Sequence, residues 1–270
     1  IAQDKSGLDV TNDSLLRIAH EYYSQHPDDS LYARSQYYIG KYLYLIEQTD
    51  SAYSCLLKAK NTSEEVRDYY TAYLATDRMR RIAEVSDTAL CLALSKEAYQ
   101  LYIKHGAINP INEVYLLRGI GDCYHRCDKS DSAIHYYNRA LDKAMLSSDS
   151  VVIASVYQNM SRHYCYNGQY EIALKYAHQA FDCAGYIDES LALLMAECYL
   201  ENSEYDKAQH YLNALSSSNS KESKLVRLGL QHRLSIKIGD ADAAQKYYDS
   251  SIDVAADMYL STLKEKLDIS

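Results

Sequence analysis

Small and apolar residues recur along this chain at two fixed spacings. Gly40, Ala52 and Ala59 stand twelve and seven positions apart, Gly121, Ala133 and Ala140 repeat the spacing, and Ser161, Ala173 and Ala180 repeat it again. The gap of twelve spans one helical turn, a short loop and the start of the next helix. Two antiparallel helices approach to about 8–10 Å between axes only where small side chains let their backbones meet. The gap of seven is two helical turns, so both alanines lie on one face of the second helix. Large residues fill the space between. Leu43, Tyr124, Tyr164 and Tyr199 come three after the small position, and Leu56, Tyr137 and Leu212 four after the first alanine. A period of about 34 residues built this way predicts stacked helical hairpins, whose surfaces bind rather than catalyse.

The pattern places units at roughly 33–66, 72–105, 114–147, 154–187, 189–222 and 225–258, the last two as weaker copies. Residues 12–25 read as a lone helix with Leu16, Ala19 and Tyr23 on one face, a partial N-terminal cap. The second unit admits two registers. An anchor at Cys91 puts Ala98 seven residues on and Ile82 at the large position, whereas an anchor at Ala89 puts Lys96 and Arg80 at packing positions; Cys91 is preferred. Thr49-Asp50-Ser51-Ala52, Ser86-Asp87-Thr88-Ala89 and Ser130-Asp131-Ser132-Ala133 read as Asp/Ser caps opening helices. Punctuation falls at Pro27, Gly106 to Pro110, Ser147 to Ser150, Asn167-Gly168 and Ser216 to Ser223. Only 9 Gly and 2 Pro are present, and alternating strand-type runs are absent. The expectation is one all-α solenoid over 1–270, with no flexible interdomain linker.

Composition sharpens this picture. With 29 Tyr, 1 Phe and no Trp, the aromatic surface is almost wholly phenolic. Tyr buries its ring while keeping its hydroxyl wet, which suits helices half exposed in a thin stack, and most Tyr fall at packing positions. The seven cysteines are odd in number and without regular spacing, which argues against a disulfide framework. Cys123 and Cys198 take a position usual for Ala and read as small buried hydrophobes. Cys123, His125 and Cys127, with His163 and Cys165, tempt a metal reading, but on a helix His125 points away from its two Cys neighbours, so no metal is expected. A net charge of -9 disfavours nucleic acid and anionic membrane surfaces. The best apolar run, Leu191 to Ala196, is far too short to insert in a membrane. The chain starts at Ile1 and ends in a helical pattern (Met258 to Leu267), so the natural protein is expected to extend past both ends. No nucleophile elbow, phosphate loop, zinc-protease motif or CxxC pair is found, and no catalytic residue or cofactor is expected. Gly119-Ile120-Gly121 falls inside a helix, and the paired carboxylates Glu64-Glu65 and Asp28-Asp29 read as helix starts.

Leu117 to Ala140, LRGIGDCYHRCDKSDSAIHYYNRA, and Tyr157 to Ala180, YQNMSRHYCYNGQYEIALKYAHQA, resemble the tetratricopeptide repeat. The resemblance implies a right-handed superhelical solenoid of about six antiparallel hairpins plus partial caps. It also implies a concave groove lined by the first helix of each unit. One groove position runs Lys41, Arg80, Asp122, Arg162, Glu197 and Arg233 down the stack. Arg34, Arg118, His125, Arg126 and Lys237 join this face, with Tyr37, Tyr44, Tyr115 and Tyr166 among them, while acidic residues are expected at helix starts and outer faces. The expectation is a non-enzymatic scaffold or sensor holding an acidic peptide or protein segment in a basic, Tyr-lined trough, Arg pairing its carboxylates bidentately. Alternatives are a small-ligand or signalling-peptide sensor and a glycan-binding envelope protein. The run AQDKSGLDVTNDSLLRIAHEYYSQH and the Tyr-rich first repeat are similar to the repeat domains of bacterial membrane-tethered regulators. That similarity implies a periplasmic or cell-envelope location, with a cytoplasmic one as the alternative.

Overall fold

The computed structural model describes residues 14–25, 30–106, 109–215 and 220–268. Thirteen α-helices and no strand occur among them. The readings at Pro27, at Asp28-Asp29 and over 216–219 lie outside the described residues, as does the side chain of Leu16. Two compact units divide the chain, Ile1–Ser147 and Ser148–Ser270. In the first, α1 (Ser14–Ser24) packs on α2 (Ser30–Leu45). Three hairpins follow: α2 with α3 (Thr49–Glu65), α4 (Tyr69–Ser86) with α5 (Thr88–His105), and α6 (Pro110–Arg126) with α7 (Ser130–Ser147). The second unit holds α8 (Ser150–Tyr166) with α9 (Tyr170–Ala184), α10 (Glu189–Glu201) with α11 (Tyr205–Ala214), and α12 (Lys221–Ile238) with α13 (Ala241–Asp268). Within each unit every helix packs on its successor. First helices also meet: α2 on α4, α8 on α10, α10 on α12.

The small position works by exchanging volume with a residue sixteen places later. A Cβ at Gly40 would lie 2.7 Å from Cγ of Leu56, and one at Gly121 would lie 2.6 Å from Cε1 of Tyr137. Where Ser161 adds a side chain, the facing residue shrinks to Ala177, and the Ser161 hydroxyl donates to the Ala173 carbonyl at 2.8 Å. Ala196 faces Leu212 in the same relation, both fully enclosed. In the second hairpin Met79 takes the small position. Cys91 is enclosed there and Ala89 is exposed, which settles the register on Cys91.

In four of these hairpins, the second excepted, the turn is a left-handed residue followed by a six-to-one bond, the arrangement that satisfies the last carbonyls of a helix. Glu47, Asp128, Gly168 and Ser203 occupy it with φ between 54° and 70°. The next amide returns to the large residue of the repeat, Gln48 to Leu43 at 2.9 Å, Lys129 to Tyr124 at 3.0 Å, Gln169 to Tyr164 at 2.9 Å and Glu204 to Tyr199 at 2.8 Å. These turns displace two expected caps. Asp87 does cap α5, accepting the Leu90 amide at 2.9 Å, but Asp50 and Asp131 sit inside the first turns of α3 and α7. Glu64-Glu65 close α3 instead of opening a helix, and Glu64 pairs with Lys60 one turn back at 3.6 Å.

Gly121→Ala forces Tyr137 aside and is expected to lower the unfolding free energy by about 1–3 kcal/mol. Ser161→Ala is expected to lower it by about 1 kcal/mol. Urea titrations followed by circular dichroism check both, and an unshifted midpoint for Gly121→Ala would show that the close approach is not a constraint.

Asp68 gives a second test. Its carboxylate caps α4, accepting from the Thr71 amide at 3.2 Å and hydroxyl at 2.8 Å, and pairs with Arg34 at 3.1 Å. Burial acts to raise its pKa, but the Thr71 donors and Arg34 prevail and hold it below the ordinary 3.8. A carboxylate depressed in the fold adds stability above its unfolded pKa, and that stability is lost as pH falls through the folded value. Wild type should therefore exceed Asp68→Asn by about 1 kcal/mol at pH 7, with the gap closing below about pH 4; melting midpoints across pH measure it.

Candidate functional site

A cleft of about 530 Å³ lies in the first unit between α4 and α6, the first helices of successive hairpins. Helix α4 contributes Tyr73, Asp77, Arg80, Arg81 and Glu84, and α6 contributes Asn112, Tyr115, Leu116, Arg118, Gly119 and Asp122. Ser95 of α5 lies at its floor. The start of α6 is fixed by Asn109, whose side chain accepts the Ile111 amide at 2.9 Å. The buried Tyr102 hydroxyl donates to the Asn109 carbonyl at 2.5 Å and accepts its amide at 2.9 Å. Tyr115 and Arg118 follow within the next turns.

Charge in the cleft is balanced. Arg80, only 16% exposed, donates from Nε to Asp77 at 2.9 Å and from Nη1 to Glu84 at 3.2 Å. Arg81 shares Asp77 at 3.3 Å and is half exposed. Burial opposes the charge on Arg80, but Asp77 and Glu84 hold its pKa above the usual arginine range. Tyr73 is pushed up by burial and then by Asp77. Arg118 lies over the Tyr115 ring, 5.1 Å from its centroid, and Asp122 accepts the Tyr137 hydroxyl at 2.8 Å from beneath. Asp77 and Glu84 stand three before and four after Arg80, the spacing of helical neighbours. A reading down one groove position passes over them, along with Tyr73 and Arg81, so acidic side chains line the cleft and are not confined to helix starts and outer faces.

The structure thus brings Arg80, Tyr115, Arg118 and Asp122 together. Arg126 adjoins them through Glu84 at 3.1 Å, and His125 is half-buried on the same helix. Arg34 is engaged by Asp68, and Tyr44 receives Arg78 over its ring at 5.9 Å. Tyr37 and Lys41 are buried, Tyr37 in the core beneath α2, so neither presents a surface to a partner. In the second unit Arg162 reaches Asn159 and Ser190, Tyr166 and Lys237 are exposed, and Arg233 pairs with Glu197 and Glu201. Tyrosines three places after the small position stack on partners inside their hairpins. Tyr124 lies against Tyr136, Tyr164 against Tyr176 and Tyr199 against Tyr211, with centroids 5.5, 5.4 and 5.6 Å apart.

Residues 110–185 match the tetratricopeptide repeat family. Over that stretch the chain carries tetratricopeptide repeats. The match covers α6 and α7 of the first unit and α8 and α9 of the second. Tetratricopeptide repeats are generally non-enzymatic scaffolds that bind protein or peptide partners. Among solved structures, the chain is similar to the apo form of RapI (15% identity, TM-score 0.69), with 96% of this chain and 95% of that one covered. It is also similar to aspartyl phosphate phosphatase F from Bacillus subtilis (17%, TM-score 0.69), covering 91% of this chain and 66% of that one. A third likeness is to a signal transduction ATPase with a tetratricopeptide repeat sensor from Pyrococcus horikoshii (16%, TM-score 0.69), 89% of this chain covering 39% of that longer protein. These likenesses concern the fold. No curated protein sequence matches the chain. No described helix is long and apolar enough to cross a membrane, and no group of three or more His, Cys, Asp or Glu among the described residues is placed to hold a metal.

Arg80→Glu would set a third carboxylate between Asp77 and Glu84. It is expected to cost about 3 kcal/mol of stability, and a thermal melt reads this directly. The same change at Arg81, half exposed, is expected to cost under about 1 kcal/mol.

Proposed function

We propose that this chain is a non-enzymatic binding module whose cleft between α4 and α6 receives an extended segment of a partner protein. The observation that carries the reading is the cleft itself. Two first helices of neighbouring tetratricopeptide repeats face one another there across about 530 Å³, with charged groups of both signs on their walls. Arg81, half exposed, and Arg118, over the exposed Tyr115 ring, are the anion-facing groups, whereas Arg80 is enclosed between Asp77 and Glu84. The acidic partner expected from sequence then narrows to a peptide whose carboxylates meet Arg81 and Arg118 and whose amide or basic groups meet Asp122. Tyr115, 44% exposed beneath Arg118, adds an apolar ledge. The stacking of Tyr124, Tyr164 and Tyr199 inside their hairpins takes those rings away from a glycan platform. The similarity to repeat domains of membrane-tethered regulators supports a sensor role, as the sensor of the Pyrococcus horikoshii ATPase illustrates for that protein.

Selection of a displayed peptide library on the full chain tests this. Enriched peptides are expected to carry carboxylates, to weaken as salt rises, and to lose at least tenfold in affinity for the Arg81→Glu, Arg118→Glu double variant. Enriched peptides that bind the double variant equally well would remove the cleft from the mechanism. A library with no enriched peptide, alongside a small molecule that raises the melting point, would favour the small-ligand alternative.

A further inference from the structure

Below the cleft floor lie two cysteines from neighbouring hairpins. Cys91 of α5 and Cys123 of α6 are 0% and 1% exposed, and their Sγ atoms are 3.1 Å apart. Arg126, one turn after Cys123, folds its guanidinium over the pair. Its Nη2 lies 3.1 Å from Sγ of Cys91 and 3.5 Å from Sγ of Cys123, while Nη1 donates to Glu84 at 3.1 Å. Ser95, at the cleft floor, has its hydroxyl 3.4 Å from Sγ of Cys123 and donates to the Cys91 carbonyl at 2.7 Å.

A guanidinium against sulfur favours thiolate over thiol. The hydrogen bond from Cys123 pushes the Cys91 thiol down to about 6, with Arg126 and Arg80 assisting against burial. Cys123, the donor of that bond, is pushed up. One sulfur is thus a nucleophile at neutral pH and its neighbour retains a proton, which is the division of labour that a dithiol needs in order to close.

We propose that Cys91 and Cys123 form a redox site that hydrogen peroxide converts to a disulfide tying α5 to α6. The Cys91 thiolate attacks one peroxide oxygen. An S–O bond forms, the O–O bond breaks, and the departing hydroxide takes the Cys123 proton to become water. The Cys123 thiolate then attacks the Cys91 sulfenic sulfur. An S–S bond forms, and the sulfenic oxygen leaves as water with the proton Cys91 gave up on ionising. Two thiols lose two electrons, and peroxide is reduced to two waters. The sulfurs need to close by about 1 Å to reach a disulfide length. Their burial excludes a bulky disulfide as oxidant, and Ser95 gives a small one a way in from the cleft. The second unit supplies an internal comparison. Cys165 and Cys198 are hydrogen-bonded there as well, and Cys198, like Cys123, is pushed up by that bond and by burial, with Glu197 among its charged neighbours.

The test treats the reduced full chain with hydrogen peroxide, alkylates timed samples in denaturant and maps cysteines by mass spectrometry. The first product is expected to be a peptide joining Cys91 to Cys123, reversed by dithiothreitol, with a melting point about 5–10 °C above the reduced chain. Arg126→Gln should slow closure about tenfold or more. Cys123→Ser should leave Cys91 as a sulfenic acid that dimedone traps; should that variant not fold, wild-type mapping and Arg126→Gln decide. The proposal is overturned if Cys55 or Cys127 reacts first, if Cys165 and Cys198 close as fast, or if Arg126→Gln leaves the rate unchanged.

Discussion

Everything in these hairpins depends on how near the first helix comes to the second at the small position. A missing side chain on one helix is filled by a large one on the other: Leu56 over Gly40 and Tyr137 over Gly121. Where the first helix keeps a hydroxyl, the second gives way to Ala177 and accepts a hydrogen bond in exchange. The approach also fixes function-facing geometry. Tyr137 fills the space at Gly121 with its ring and holds Asp122 with its hydroxyl, so packing inside a hairpin sets where a cleft carboxylate points.

The cleft is a place where attraction is already satisfied. Its guanidinium and carboxylate groups are spaced one helical turn apart, and burial of Arg80 makes their mutual pairing tighter than it would be on an open helix. In the proposed binding mode a partner would gain by completing this arrangement at its exposed edge, at Arg81 and Arg118, more than by displacing the pairs beneath. Specificity in such a site comes from the order of charges along the ligand.

Fold and cleft differ in how far they can be read from sequence. The hairpins are legible because close packing demands small residues at fixed spacing, and Gly40, Gly121 and Ser161 announce it. The turns are less legible: Glu47, Asp128 and Ser203 adopt a left-handed backbone that their side chains do not advertise, and so Asp50 and Asp131 pass for caps. At the cleft, one groove position finds Arg80 and Asp122 but cannot reveal that Asp77 and Glu84 neutralise the former. Tyr37 and Lys41 look like groove residues until packing encloses them. The cysteines carry a signal that spacing within one repeat does not show. Cys91 stands on the second helix of one hairpin and Cys123 on the first helix of the next, so only the packing of hairpin on hairpin brings the pair together.

The volume exchange has a consequence for descent. The two residues that fix each approach stand sixteen positions apart within one hairpin. A duplication or deletion cut between hairpins carries both partners together, so such an array can lengthen or shorten without a compensating mutation. The sulfur pair of Cys91 and Cys123 bridges two hairpins and lacks that protection. Recombination that shuffles units freely would preserve the scaffold and scatter the pair, so lineages that keep both cysteines in adjacent units would mark selection on the pair itself.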